Sequence, residues 1–502
     1  MGNVEHVIYD KNEDLEGVWF ENRYPGCACD VPSHAYTLPF ALNPDWPRFY
    51  SSGFEIWAYV KKVCDVFDLT KHMRFKHRVI GCYWQQDTGN WLVKTRRALP
   101  DGSTYAFEDH YTVLLYGPGL INNFRLPDIE GLDTFGGKVM HTAAWPGDYS
   151  AAYPWEPDRV AVIGSGASSV QVVPAMQPYV RKMHVFFRTG VWFVNIPAKK
   201  NPAALVAHAK EIEDGLCGFF PLMFKGSTAQ AHARKEIAER MTGIIKDERL
   251  LRGFTPAWSV GCKRPNPGDP YMRVQCVGAL YARRQGHPHI PTVIGADGTQ
   301  CEVDAIICAM GFDVSFRPRF PIVGKDGVDL TAKWEDCPEG YMGIAVPDFP
   351  NLFTFQGPNS PVQNDHDQDP DGVHLRHRAS SGHHHPKTGR LNAIWPGSSL
   401  HYMDTIGLPR YEDYDIMYLG LGKKNRFAYL GMGTARVTVE KGDQSPYLAI
   451  DKMDSRWLKA SGIDVEKVLE HRAEAARRKW RQEMQDNGQD VKVEIEGKDV
   501  RV

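Results

Sequence analysis

Hydrophobic and polar positions change period several times along the chain, and each change predicts an element. Residues 6–9, HVIY, form a short apolar run that predicts a strand ending at Asp10. From Gly17 to about Pro47 the chain is punctuated by Gly and Pro and reads as a loop. Residues 54–68, FEIWAYVKKVCDVFD, place apolar side chains at helical spacing and predict an amphipathic helix. RVIGCYWQQ and NWLVKTRR then alternate with period two around DTGN, which predicts a hairpin. Val113 to Tyr116 reads as an apolar strand running into GPG.

The sharpest pattern begins at Asp158. RVAVIG is a continuous apolar run, GSGASS a Gly-rich turn, VQVVPAMQPYV an apolar helix kinked at Pro174, and MHVFF the next strand. Strand, turn, helix and strand in this order predict a doubly wound unit. Residues 202–250 are rich in Ala, Lys, Glu and Arg and read as helical, and Val303 to Ala309 as a further strand. Residues 364–390 contain six His, almost no apolar residues and no periodicity, so they read as a loop or disordered insert without regular ligand spacing for a metal. An amphipathic helical pattern returns at 454–486, and no repeat of solenoid period is present.

Composition narrows this picture. A chain of 502 residues exceeds the ~250–300 at which one core stops growing, so two domains, or one discontinuous pair, are expected. The net charge of −2 gives no global field for nucleic acid or anionic membrane. No apolar run approaches the ~20 residues that span a bilayer, and the N-terminus has no secretory pattern. The ten cysteines are scattered, which suits free thiols, a reducing compartment and a cytoplasmic location. Cys27 and Cys29 are read as packing residues.

In the turn Gly164-Ser165-Gly166-Ala167-Ser168-Ser169, Gly164, Gly166 and Ser169 take the three positions of G-x-G-x-x-G/A. The first permits a tight turn, the second lets backbone N–H groups approach a pyrophosphate, and the third wants a small residue for helix–strand packing. An NAD site would carry Asp or Glu at the end of the next strand. Arg188 stands there, followed by Thr189, and a guanidinium suits a 2′-phosphate, so the pattern points to NADPH.

Three further segments resemble one family, the Baeyer–Villiger monooxygenases among the class B flavin monooxygenases. FGGKVMHTAAWP fits F-x-G-x-x-x-H-x-x-x-W-P at Phe135, Gly137, His141, Trp145 and Pro146. The Trp-Pro ending separates this group from relatives that oxygenate nitrogen or sulfur. GVWFENRYPGCACD is similar to a second family pattern at Gly17, Trp19, Tyr24, Pro25, Gly26 and Asp30, with SHAY continuing the match to Tyr36. By resemblance this loop, including Val18 and Val31, lies along an FAD, with Asp30 close to the flavin ring and Asp10 at the ribose end. GCKRPNPGDPY places Arg264 where the family has an Arg beside the reacting flavin carbon, with Asp30 as its counter-ion. An always-charged Arg suits the anions formed when activated oxygen attacks a ketone carbonyl. Lys263 is the rival in the same loop. Weaker matches run through DAIICAMGFD and the stretch near 395–414, and all together cover most of residues 4–270 and 295–450.

The resemblance implies an α/β fold with two Rossmann-like domains. It places a first part of a discontinuous FAD domain at 1–150, an NADP domain with a helical insert at 151–312, and a return to the FAD domain at 313–502. It implies FAD and NADPH as cofactors, a small-molecule ketone and O2 as substrates, and fungal polyketide metabolism of the aflatoxin and sterigmatocystin type. It leaves oligomeric state open. The family also begins with a strand, phosphate loop and helix for FAD that precede the segment matched by residues 6–10, so an N-terminally truncated FAD domain with an exposed sheet edge is expected. Residues 273–295 and 364–390 depart from the family pattern. Two other readings stay open: a nucleotide-binding remnant without flavin, and a flavin enzyme acting on nitrogen or sulfur.

Overall fold

The computed structural model describes residues 5–15, 17–99, 101–119, 121–150, 155–194, 226–261, 265–273, 292–295, 298–336, 338–360, 399–406 and 454–462, with short pieces between 210 and 223 and between 464 and 501. Residues 262–264, most of 273–295, all of 364–390 and most of 454–486 lie outside them.

Four apolar segments pair into an all-parallel sheet in the order Lys138–His141, Ala305–Cys308, Arg159–Ile163, Lys182–Phe186. Parallel strands of this kind are covered on both faces, which explains why Arg159–Ile163 and Ala305–Cys308 read as continuous apolar runs; Lys138–His141, with a charged residue at its start, does not read as a strand in the sequence. Alternate residues serve opposite faces. Val160, Val162, Ala305 and Ile307 pack with Val170, Val172, Val173 and Met176 of the Ala167–Met176 helix. Ala161, Ile163, Ile306 and Cys308 face Val293 and Cys301 of the antiparallel pair Thr292–Ile294 and Gln300–Glu302. The Ala167–Met176 helix continues through Pro174. The helical stretch 202–250 resolves into Thr228–Ile244 and Glu248–Phe254 among the described residues, capped by Ser227 and Asp247 and packed through Met241, Leu250 and Phe254 onto the same core.

A second sheet joins Ile322–Val323 to the antiparallel run His77–Gln85, Asn90–Ala98, Thr104–Tyr111. The expected hairpin is present, with a register shift between Val79 and Gly81. Trp91 and Val93 point into its core, whereas Lys94 and Arg96 alternate outward, the pattern of a half-buried sheet.

Three short parallel ladders are also present among the described residues, one of them Phe193–Val194 with Asn266–Pro267. Ile8–Tyr9 pairs with Met73–Arg74, and Leu114–Tyr116 with Leu352–Thr354. Each is two-stranded among the described residues, and in the latter two the apolar Ile8, Leu115 and Phe353 are exposed. The expected amphipathic helix is Gly53–Val66. Its start is set by a reciprocal capping box, with Ser52 Oγ accepting from Glu55 N and a Glu55 carboxylate oxygen accepting from Ser52 N. It buries Ile56, Tyr59 and Val63 against Trp457 of the Ser455–Ala460 helix, whose indole N–H donates to Leu42 O at 2.8 Å.

A candidate dinucleotide turn and the loop docked on it

The carboxyl ends of the parallel strands gather the residues singled out in the sequence. His141 ends one strand, Gly164 follows the next, Arg188 lies two residues beyond a third and Ala309 follows the fourth. Ligands in such sheets bind at this edge.

Gly164 is pinned between strands. Its N–H donates to Phe186 O at 2.8 Å, its φ is +127°, and a Cβ there would meet Ala309 O at 2.2 Å. Only glycine accepts both constraints. Gly166 differs: its φ is −76° and nothing lies within 4 Å of a Cβ built on it. Its freedom is therefore open space at the helix N-terminus, where unpaired N–H groups and the helix dipole favour an anion. The first turn of that helix carries no acidic residue to repel one. Ser165 Oγ donates to Thr189 O at 2.7 Å and ties the turn to the segment carrying Arg188, which is exposed. Ser169 is fully buried, and its Oγ has no hydrogen-bond partner among the described residues. A smaller residue would fit this packing position without an idle hydroxyl. Ala167 and Ser168 are half-buried in the first turn. The described residues thus form a cradle that fits a dinucleotide pyrophosphate.

The second predicted site is held differently. Gly17, Val18 and Trp19 lie in the short Gly17–Glu21 helix, half-buried, and the Trp19 indole N–H donates to Tyr36 OH at 2.8 Å with the rings edge-on. Cys29 N donates to Ser51 O and Gly53 N to Cys27 O, both at 2.9 Å. Ser33 Oγ bonds Ser51 Oγ at 2.8 Å. These bonds lace the loop to the start of the Gly53–Val66 helix and leave Asp30 and Val31 half-buried at its exit. Cys27 and Cys29 pack in the interior, where burial pushes both thiols up to about 11. Asp10 accepts from Asn12 N at 2.7 Å; burial raises its pKa, partly opposed by that bond and by Lys11. Arg264 and Lys263 lie outside the described residues.

The twelve-residue fingerprint runs from the edge of the parallel sheet into its core. A Cβ on Gly137 would sit 2.3 Å from Asp304 O, so glycine is needed for close approach of the chains. Phe135 packs beside it. Trp145 donates to Tyr149 O at 2.8 Å, Pro146 O accepts from Tyr149 N, and Tyr149 OH reaches Asp158 at 2.7 Å. Four of the five fixed residues therefore build scaffold. His141 is the exception. Its ring stacks on Phe124 and Nδ1 accepts from Ala143 N at 3.0 Å, which puts the proton on Nε2, a buried atom with no partner among the described residues. Burial pushes its pKa down to about 4.

Two features escaped the sequence reading. Asp304 accepts from Arg159 N and Nε at 2.8 and 2.9 Å and locks two neighbouring strands. Gln171, the one amide in the Ala167–Met176 helix, bonds the loop around Tyr24 and Ala28. Its signal was available: a polar residue between Val170 and Val172 has to find partners once buried.

Comparison with known proteins agrees with this geometry. A flavin-binding monooxygenase-like family profile matches residues 27–223. The FAD-binding monooxygenase moxY of Dothistroma septosporum is 44% identical, over 94% of this chain and 85% of its own. The FAD-binding monooxygenase stcW of Emericella nidulans is 42% identical over 92% and 87%, and a Baeyer–Villiger monooxygenase of Streptomyces coelicolor 35% over 72% and 70%. Among solved structures, a cyclohexanone monooxygenase in an open form superposes with a TM-score of 0.58 at 27% identity, covering 71% of this chain and 78% of that one. A fold of two Rossmann-like domains, with a fingerprint ending in Trp145–Pro146, defines a flavin-dependent oxygenase class. The chain belongs to the flavin-binding monooxygenase family and, within it, to the Baeyer–Villiger monooxygenases. No helix among the described residues is long and apolar enough to cross a membrane.

Proposed function

We propose that this protein uses FAD, NADPH and O2 to insert one oxygen atom beside a ketone carbonyl, giving an ester or lactone, in fungal polyketide metabolism. The observation that carries the NADPH assignment is Arg188. It is exposed just past the strand that follows the Gly-rich turn, and the Ser165–Thr189 bond holds its segment against that turn. A guanidinium there binds a 2′-phosphate through two charge-assisted hydrogen bonds, while an unmodified ribose offers it nothing comparable. The open space at Gly166 and the unpaired N–H groups of the following helix receive the pyrophosphate.

When bound, the flavin supplies oxygen activation and the nicotinamide supplies hydride; the chain's residues bind, orient and exclude water. Asp10 and the Gly17–Tyr36 loop are assigned to the flavin side, with Asp30 as counter-ion of Arg264. Arg264 holds the oxyanion that develops on the carbonyl oxygen. The ketone and substrate class are supported by the Trp145–Pro146 ending and by the Baeyer–Villiger and fungal relatives.

The test is product analysis by mass spectrometry. Purified protein supplied with FAD and NADPH, and offered linear, cyclic and polyketide-like ketones, is expected to yield products one oxygen heavier that hydrolyse as esters. Arg264→Ala is expected to abolish them while leaving NADP+ binding within about twofold, since binding is carried elsewhere. Oxidation of amines or sulfides with no ketone turned over would replace this reading by nitrogen or sulfur oxygenation. A protein that binds NADP+ but retains no flavin would replace it by nucleotide binding alone.

A further inference from the structure

Gln171 sits on the helix that opens with the candidate pyrophosphate cradle, yet no role in that cradle uses it. Its Oε1 accepts from Tyr24 OH at 2.6 Å and from Ala28 N at 3.4 Å, while Nε2 donates to Ala28 O at 2.8 Å. One primary amide therefore engages both polar atoms of a residue distant in sequence, much as a neighbouring strand would. The approach is close. A Cβ on Gly26 would lie 2.6 Å from Gln171 O and 2.9 Å from Ala175 Cβ, and the φ of Gly26 is +81°. Tyr24 is buried in the same core as the helix, and Ser168, in its first turn, lies near enough to the Tyr24 hydroxyl to oppose the upward shift that burial imposes on it.

We infer that Gln171 is a positioning residue, through which nucleotide in the Gly164–Ser169 turn fixes the placement of the Ala28–Val31 loop. The inference rests on the reading that this turn holds NADPH and that Asp30 borders the flavin. Ser168 and Gln171 are three residues apart and so share one helix face. A ten-residue helix moves as a rigid rod about 15 Å long, so a pyrophosphate that orders its first turn also orders Gln171. From Gln171 the path runs through Ala28 directly to Cys29, whose N–H bonds Ser51 O, and on to Asp30. The amide is specific for the task. Glutamate keeps the acceptor for Tyr24 and Ala28 N but cannot donate to Ala28 O, and leucine can do neither.

The measurement is hydrogen–deuterium exchange of the loop peptides spanning 24–31, with and without NADP+, in the FAD-supplemented wild-type protein and in Gln171→Leu, Gln171→Glu and Tyr24→Phe. Wild type is expected to show roughly tenfold slower loop exchange on NADP+ binding, within the usual range of coupling between sites. Gln171→Leu is expected to bind NADP+ within about threefold of wild type yet lose that slowing. Gln171→Glu and Tyr24→Phe, which each keep part of the network, should fall between. Product formed per NADPH consumed should decline in the same order. Should Gln171→Leu fail to fold, the graded response of the two milder variants decides the matter. Equal slowing in wild type and in every folded variant overturns the coupling. A loss of NADP+ binding by the variants in proportion to their loss of slowing also overturns it, because Gln171 would then merely support the cradle. A wild-type chain that binds no NADP+ overturns the nucleotide reading and this inference with it, a result distinct from the other two.

Discussion

The Gly-rich turn and the Gly17–Tyr36 loop are assigned to two halves of one reaction, yet they are built on opposite principles. The turn is made of backbone. Its geometry comes from a glycine squeezed between strands, a glycine facing open space, and a helix N-terminus, whose first N–H groups have no partner within the helix itself. The loop depends largely on side chains: beside the backbone bonds of Cys29 and Cys27, the pairs Trp19–Tyr36, Ser33–Ser51 and Tyr24–Gln171 hold a segment that has almost no regular structure of its own. A backbone site tolerates change everywhere except at a few positions. A side-chain site spreads its stability over many moderate contacts, and single substitutions of those side chains weaken it by degrees. Gly26, with a φ of +81° and a Cβ position 2.6 Å from Gln171 O, is a backbone-locked position within the loop.

This contrast can be broken by experiment, beginning where the effect is largest. Gly164→Ala combines a φ of +127° with a 2.2 Å clash against Ala309 O, and should cost about 4 kcal/mol or more, read as a fall in thermal midpoint. Gly166→Ala is its control. That variant should melt like wild type and lose NADP+ affinity instead, measured by calorimetry. Equal melting losses for both would show that the turn is not the divided structure described.

Histidine titration comes next. His141 has its pKa pushed down to about 4 by burial, against about 6.5 for an ordinary histidine, so the unfolded chain binds more protons between these values. Stability from this group is complete above pH 6.5 and is lost as pH falls toward 4, by on the order of 3 kcal/mol. His184 and His401 shift in the same direction, also through burial, so part of the slope belongs to them. His141→Asn, whose carbonyl oxygen can replace Nδ1 as acceptor for Ala143 N, should flatten denaturant-midpoint curves over that window. An unchanged slope would remove His141 from this role.

Two smaller effects sharpen the comparison. Arg188→Ala should weaken NADPH about 10- to 100-fold, the worth of charge-assisted bonds, and NADH hardly at all. Equal losses for both nucleotides would refute the 2′-phosphate assignment. Trp19→Phe removes one hydrogen bond and keeps the edge-on ring contact, so a loss of about 1 kcal/mol is expected in chemical denaturation. A loss as large as that of Gly164→Ala would mean that the side-chain contacts of the loop, too, hinge on one residue.

Legibility in the sequence followed the range of the interactions. The Gly53–Val66 helix, the Asn90–Ala98 strand and the Gly-rich turn are governed by neighbours within a few residues, so periodicity and spacing found them. The five fingerprint positions were also legible, but as a pattern. Their division into four scaffold residues and one histidine whose Nε2–H has no partner among the described residues needed coordinates. Gln171, Asp304 and the Trp457–Leu42 bond were not read as contacts, because their partners lie 143, 145 and 415 residues away.

The sequence by itself determined the amphipathic helix, the hairpin, three of the four strands of the parallel sheet and the chemistry available at the turn, since strand alternation, helix spacing and glycine conformation are local properties. Tertiary structure alone decided which glycine is locked by Ala309 and which faces open space, which nitrogen of His141 keeps its proton, and that an amide on the Ala167–Met176 helix grips the loop leading to Asp30. Each of these depends on close approach between segments far apart in the chain, and only packing sets that distance.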